Sequence, residues 1–172
     1  MYIPADEATS ARVWKEILEA GKEFGALPCG LGSRNTLRLE AKLPLYGHEI
    51  SDTINVWEAG LDRFIKMEKP DFIGRPALEK AKAEGLKRTL VGLEMIERGI
   101  ARDDYKVLDD SGKEIGYVTS GSPAPFLKKN IALAYVPPSH AAVGAGVKVQ
   151  IRGQGVGARV VPTPFYKRPK KN

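Results

Sequence analysis

The chain has 172 residues, 42% of them hydrophobic and 28% charged, which is ordinary globular composition and excludes wholesale disorder. No apolar run approaches the ~20 residues a membrane helix needs, and no signal-peptide core follows Met1. The net charge of +6 suggests nucleic acid, but Lys167, Arg168, Lys170 and Lys171 in the tail "YKRPKKN" supply four of those charges. The body is therefore nearly balanced, and the tail reads as a solubilising end in preference to a docking arm.

The opening "MYIP" resembles the end of a strand whose beginning is missing, so the chain reads as truncated. In "ADEATSARVWKEILEAG", Val13 with Ile17 and Trp14 with Leu18 repeat at helical spacing. Asp6 as N-cap and Gly21 just past the end predict a helix over 7–20. After Pro28 comes "CGLGSRNTLRLEAKLPLYGHEI". At ~100° per residue, Leu37 and Ala41 fall on one flank and Leu39 and Leu43 on the other. Arg34 and Arg38 lie between, predicting a helix wedged into structure on two sides of a basic stripe.

"DTINVWEAG" carries a short helix signal ending near Gly60, and "LDRFIKM" looks like a strand. "GRPALEKAKAEG" is a surface helix with Pro76 in its first turn and Gly85 past its end. From Lys87 the character changes. "RTLVGLEM" reads as a strand, and "YKVLDDSGKEIGYVTSG" as a hairpin closed by Asp110-Ser111-Gly112. "SGSPAPFLKK" reads as a long connection into the strand "NIALAYV", which Pro137-Pro138 stops. "VKVQIR" alternates with Val147, Val149 and Ile151 inward, and "RGQG" turns the chain into "VGARVV". About six short strands with no helix among them predict a small antiparallel barrel or sandwich. The domain boundary is placed near 86, giving segments 1–86 and 87–172.

Several chemistries find no support. There is no P-loop, no G-x-G-x-x-G after a strand, no H-E-x-x-H and no G-x-S-x-G elbow. One cysteine and two histidines make a dedicated metal site improbable, and the lone Cys29 excludes an internal disulfide framework and fits a cytoplasmic, reducing setting. A Cys29–His48 thiol–imidazole pair lacks anything to orient the histidine, so Cys29 reads as structural. The arginine pair is more informative. Like charges four residues apart on a helix repel, and an arginine fork that binds a carboxylate or phosphate offsets the cost. The partner is either an external anion or an internal one among Glu40, Glu49 and Asp52. Phe165 and Tyr166 after "PTP" either close the barrel core or stack on a flat heterocycle.

Four stretches in fixed order, "CGLGSRNTLRLEAKLPLYGHEI", "FIGRPALEKAKAEG", "VTSGSPAPFLKKNIALAYV" and "VPTPFYKR", resemble the C-terminal half of the glycine cleavage system T-protein family. The resemblance covers essentially the whole chain. It departs from the family pattern at Asn35, usually aspartate, and at Lys42, usually glycine. The resemblance implies an α+β fold: the C-terminal part of a folate-binding domain followed by a small antiparallel six-stranded β-barrel. It implies an aminomethyltransferase that takes a one-carbon unit from the aminomethyl-lipoyl arm of H-protein to tetrahydrofolate, releasing ammonia, with no metal, nucleic acid or membrane involved. Arg34 matches the family's folate-site arginine. Phe165 stands in place of a tyrosine lining that site, with Tyr166 adjacent. Arg38 would hold neighbouring carboxylates and shape the slot. Leu45 to His48 match a family motif to which no chemical role is assigned. The family's catalytic aspartate and a folate-binding glutamate belong to the N-terminal half, so no catalytic residue is expected here. The isolated chain is then expected to bind folate poorly, to turn nothing over and to self-associate through uncovered apolar surface, with that N-terminal half as a required partner. Two alternatives remain: the folate domain of a sarcosine- or dimethylglycine-oxidising flavoenzyme, and a non-catalytic β-barrel binding module. The latter calls for aromatics interleaved with basic residues on the strands, and "VKVQIR" and "NIALAYV" show few.

Overall fold

The computed structural model describes residues 6–169. The expectations for the "MYIP" strand and for Lys170 and Lys171 lie outside the described residues. The chain divides into two compact units, residues 1–34 and 35–172.

In the first unit, helix α1 (Glu7–Gly21) begins where the sequence places it. Asp6 accepts a hydrogen bond from the Thr9 amide at 2.8 Å, satisfying one of the donors a helix start leaves open. Gly21 does not stop the chain. The backbone runs on as a 3₁₀ turn, Lys22–Phe24, and Gly25 with φ +72° makes the left-handed exit. No residue of α1 is buried, and Trp14 and Ile17 on its apolar stripe remain half-exposed.

Helix α2 (Leu31–Glu40) crosses from one unit to the next, and its last turn, Arg38-Leu39-Glu40, is buried in the second. The predicted two-sided wedge is not formed. Leu37 is exposed, and the helix ends before Ala41 and Leu43 can extend either flank. The end is a Schellman turn: the Lys42 amide donates to Leu39 O (3.0 Å) and the Leu43 amide to Arg38 O (2.8 Å). Lys42 takes the left-handed position with φ +54°.

Residues 52–67 form neither the predicted helix nor the predicted strand; apart from one 3₁₀ turn, Asp62–Phe64, they are turns. Side chains there compete for the backbone: Asn55 Oδ1 accepts from the Trp57 amide and Glu58 Oε2 from the Asn55 amide. Trp57 Nε1 in turn donates to Leu78 O at 3.0 Å. This holds helix α3 (Arg75–Glu84), which runs between Gly74 and Gly85 as expected.

Six strands follow: β1 (Thr89–Met95), β2 (Lys106–Leu108), β3 (Glu114–Ala124), β4 (Lys129–Val136), β5 (Gly146–Ile151) and β6 (Gln154–Val161). They close an antiparallel barrel in the order β1-β4-β3-β2-β5-β6, with β6 returning to β1. Barrel, not sandwich, resolves the sequence alternative. Arg152 and Gly153, both at positive φ, make the tight turn between β5 and β6. The Ser-Gly-Ser-Pro-Ala run is not a connection but the second half of β3, paired with Lys129–Ile131 and beyond through a register shift near Val118. Its residues are small because neighbouring backbone comes close: a Cβ on Gly121 would collide with the Ala101 carbonyl.

Strand alternation splits the apolar residues into two clusters. Val91, Leu93, Val118, Ala132, Ala134, Val149 and Val160 fill the barrel. Leu39, Leu90, Ile131, Leu133 and Tyr135 form a second cluster against its outer wall. Strand β4 is therefore buried on both faces, which is why "IALAYV" is apolar almost throughout.

Candidate functional site

The outer wall of β3 and β4 is where the second arginine of the sequence pair is anchored. Arg38 is 9% exposed, and its Nη1 donates to Glu49 Oε2 at 2.8 Å. Its Nη2 reaches Ser120 Oγ at 2.8 Å, and Nε and Nη2 both donate to Asn35 Oδ1. Of the three candidate internal acids, Glu49 is the partner. Glu49 is fully buried and also accepts from the Leu45 amide at 2.9 Å. Its backbone carbonyl accepts from Tyr135 Oη at 2.8 Å. Burial, above all, pushes the Tyr135 phenol well above its ordinary range, so it serves as a donor. This network pins the α2 end and the Leu45–Ile50 loop to two strands of the barrel. The role the motif "LYGHE" lacked at the level of sequence is thus structural at Glu49. Nothing in the sequence marks Ser120 or Tyr135 as members, because they lie 82 and 86 residues from their partners.

Arg34 sits one turn earlier in α2, in the first unit. Its side chain is exposed and has no ion pair or hydrogen bond among the described residues. Two cations four residues apart are tolerated because one is neutralised internally and the other faces solvent.

Phe165 and Tyr166 belong to the second unit and do different things. Phe165 packs on the outer cluster, the tip of its ring coming up against β1 where Gly92 has no side chain. Tyr166 donates its amide to Glu40 O at 2.9 Å, and its ring meets Phe126 edge-on with centroids 5.0 Å apart. Phe126, at the β3–β4 turn, is exposed. Its amide also bonds to the Glu40 carboxylate, whose pKa burial nonetheless raises above the ordinary 4.5.

His48 Nδ1 lies 2.9 Å from Thr119 O and 3.4 Å from Asp103, on the wall of a cleft of about 300 Å³ with Ser51, Tyr117 and Asp104. Cys29 is exposed, its Sγ 3.7 Å from Leu27 O. Another cleft, about 480 Å³, lies beside α3, where its Glu58–Arg88 pair (3.2 Å) is already satisfied. Among the described residues no group of three or more His, Cys, Asp or Glu could hold a metal ion, and no helix is long and apolar enough to cross a membrane.

The sequence comparisons agree with this architecture. Residues 88–167 match the family model described as the glycine cleavage T-protein C-terminal barrel domain, and residues 1–69 match the GCVT N-terminal domain. The chain corresponds to the C-terminal half of the glycine cleavage T-protein family. It is 73% identical over 172 residues to the aminomethyltransferase of Koribacter versatilis, all of this chain matching 45% of that one. The aminomethyltransferase of Acidobacterium capsulatum is 66% identical, with 99% of this chain and 46% of the relative covered. The crystal structure of glycine cleavage system aminomethyltransferase T from Bartonella henselae superposes with a TM-score of 0.82 at 29% identity, covering 92% of this chain and 44% of that one. The chain therefore spans about half the length of the relatives it matches.

Proposed function

We propose that this chain supplies the C-terminal part of a cytoplasmic aminomethyltransferase of glycine cleavage. In that reaction the aminomethyl carbon on the dihydrolipoyl sulfur of H-protein passes to tetrahydrofolate. Methylene-tetrahydrofolate forms, ammonia leaves and the arm is released as dihydrolipoyl. The observation that carries the reading is 73% identity along all 172 residues to a protein named for that activity. Arg34, exposed and without an anionic partner among the described residues, is assigned to a carboxylate or other acceptor of the folate, for which a guanidinium fork is suited. Tyr166 and Phe126 offer an aromatic edge pair of the kind that packs on a flat heterocycle, and Phe165, packed on the outer cluster, adds apolar surface next to Tyr166 in sequence. Residues 1–86 are assigned to the folate-binding domain and 87–172 to the barrel.

None of these groups is an acid or base positioned for proton transfer to folate. The catalytic carboxylate is therefore assigned to the part of the relatives that this chain does not match. Mixing the chain with that part of the Koribacter versatilis relative and supplying aminomethyl-loaded H-protein tests the reading. Methylene-tetrahydrofolate should form only in the mixture. Turnover supported by dimethylglycine or sarcosine plus a flavoprotein, and not by H-protein, would transfer the chain to the oxidising branch. Absence of product from both would contradict folate-dependent group transfer altogether.

A further inference from the structure

Lys42 is an unexpected residue at its position. It occupies the left-handed end of α2 with φ +54°, where a side chain costs roughly 1–2 kcal/mol relative to glycine. Its side chain is half-buried and reaches across to Gly60, with Nζ 3.6 Å from where a Cβ on that glycine would stand. There it lines a pocket of about 180 Å³ together with Arg63, Thr163, Gly60, Pro44 and Leu90. Arg63 lies with its guanidinium 4.6 Å over the Phe64 ring, which leaves the in-plane N–H fork free.

Three features of this pocket point the same way. Its lining contains two cations, one hydroxyl and no carboxylate; Asp62 lies nearby and acts on Lys42, but it is not part of the wall. Neither the Lys42 ammonium nor the Arg63 guanidinium has a hydrogen-bond or ion-pair partner among the described residues. By contrast Arg38, Arg75, Arg88, Lys106 and Lys129 each pair with a carboxylate. Third, the volume is well below the roughly 300–1,000 Å³ of sites for drug-sized ligands, so it suits a tetrahedral anion and excludes a pteridine. Burial, and then the Arg63 charge, lower the Lys42 pKa, and an anion seated between the two would offset both effects.

We propose that this pocket binds a phosphate group, with Lys42 as the point charge, the Arg63 fork as the bidentate donor and the Thr163 hydroxyl as a third donor. The two positive walls match a phosphate dianion better than a monocarboxylate. The site is distinct from the residues assigned to folate and stands whether or not that assignment holds.

The test uses the 172-residue chain at constant ionic strength in a phosphate-free buffer. Inorganic phosphate, glycerol 3-phosphate and acetate are titrated calorimetrically, with chloride as the control. Phosphate should bind saturably and acetate at least roughly tenfold more weakly, the loss expected for about one charge-assisted bond. Binding of both phosphates assigns the pocket to the phosphate group in general, and binding of the inorganic ion alone assigns it to the free ion; either upholds the proposal. Lys42→Gly removes the ammonium while relieving the left-handed strain, so it should keep or raise the unfolding midpoint yet weaken phosphate roughly tenfold or more. Arg63→Gln, at an exposed position, should do the same to binding. Phosphate heats no different from chloride, acetate binding as tightly as phosphate, or undiminished binding by a folded Lys42→Gly variant would each overturn it.

Discussion

At the scale of single residues, the buried Arg38–Glu49 pair decides most. Its geometry is good, with a 2.8 Å bond and further donors and acceptors around it, but Glu49 Oε1 has no partner. Removing one charge would strand the other in a site with almost no solvent. Glu49→Ala should therefore lower unfolding stability by about 3–5 kcal/mol, read from denaturant titration, and the Arg38→Met/Glu49→Leu double variant should recover most of it. Equal losses in single and double variants would mean that packing, not charge, holds this corner. Glu40 makes a second case, with a pH sign. Its folded pKa lies above the ordinary 4.5 because burial disfavours the carboxylate. Folding then takes up a proton in the window just above pH 4.5, and stability contributed there is lost as pH rises through the folded value. Relative to the parent, Glu40→Gln should be near neutral below pH 4 and stabilising at pH 7. A constant difference across that range would contradict the assignment.

At the scale of elements, the strands are positioned by where side chains are missing. A Cβ on Gly116 of β3 would run into the Tyr135 carbonyl of β4, and one on Gly92 of β1 into Thr163 and the Phe165 ring. Gly116→Ala should cost about 2–3 kcal/mol by forcing two paired strands apart. Gly92→Val should instead eject the Phe165 ring from the outer cluster, detectable as loss of ring-to-methyl contacts by NMR while the barrel amides stay protected.

These same glycines show why the sequence is only partly legible. Alternation in "VKVQIR" and the Pro76 and Gly85 punctuation of α3 report local physics, and both elements form as read. The Ser-Gly-Ser-Pro-Ala half of β3 looks like a loop because its composition answers to Ala101 and Arg38, residues distant in sequence. The apparent helix and strand within 52–67 fail for the converse reason, since Asn55 and Glu58 bond to nearby backbone in place of a helical ladder. At the site, the spacing of Arg34 and Arg38 announces a problem of charge. Only the folded chain shows that Glu49, eleven residues on, answers half of it.

At the scale of the whole molecule, the barrel is a closed body with its own core, and the barrel-domain family match, 88–167, coincides with it. Among the described residues several large apolar side chains are left exposed: Phe24, Leu27, Leu31 and Leu37 before and along α2, and Tyr46 and Phe126 in the second unit. Surface of that kind calls for cover. Addition of the unmatched part of a relative should therefore convert a self-associating chain into a discrete complex in sedimentation velocity. Persistence of the homo-oligomer, with no mixed species, would argue that these faces serve contacts between copies.

In the proposed arrangement Arg34 grips folate while Arg38, paired with Glu49, holds the wall. Tetrahydrofolate titrated calorimetrically into the reconstituted pair should bind, and Arg34→Ala should weaken that binding by roughly tenfold or more with the unfolding midpoint unchanged. The chain alone should give little heat. Undiminished affinity in the Arg34→Ala pair, or tight binding by the chain by itself, would contradict the assignment.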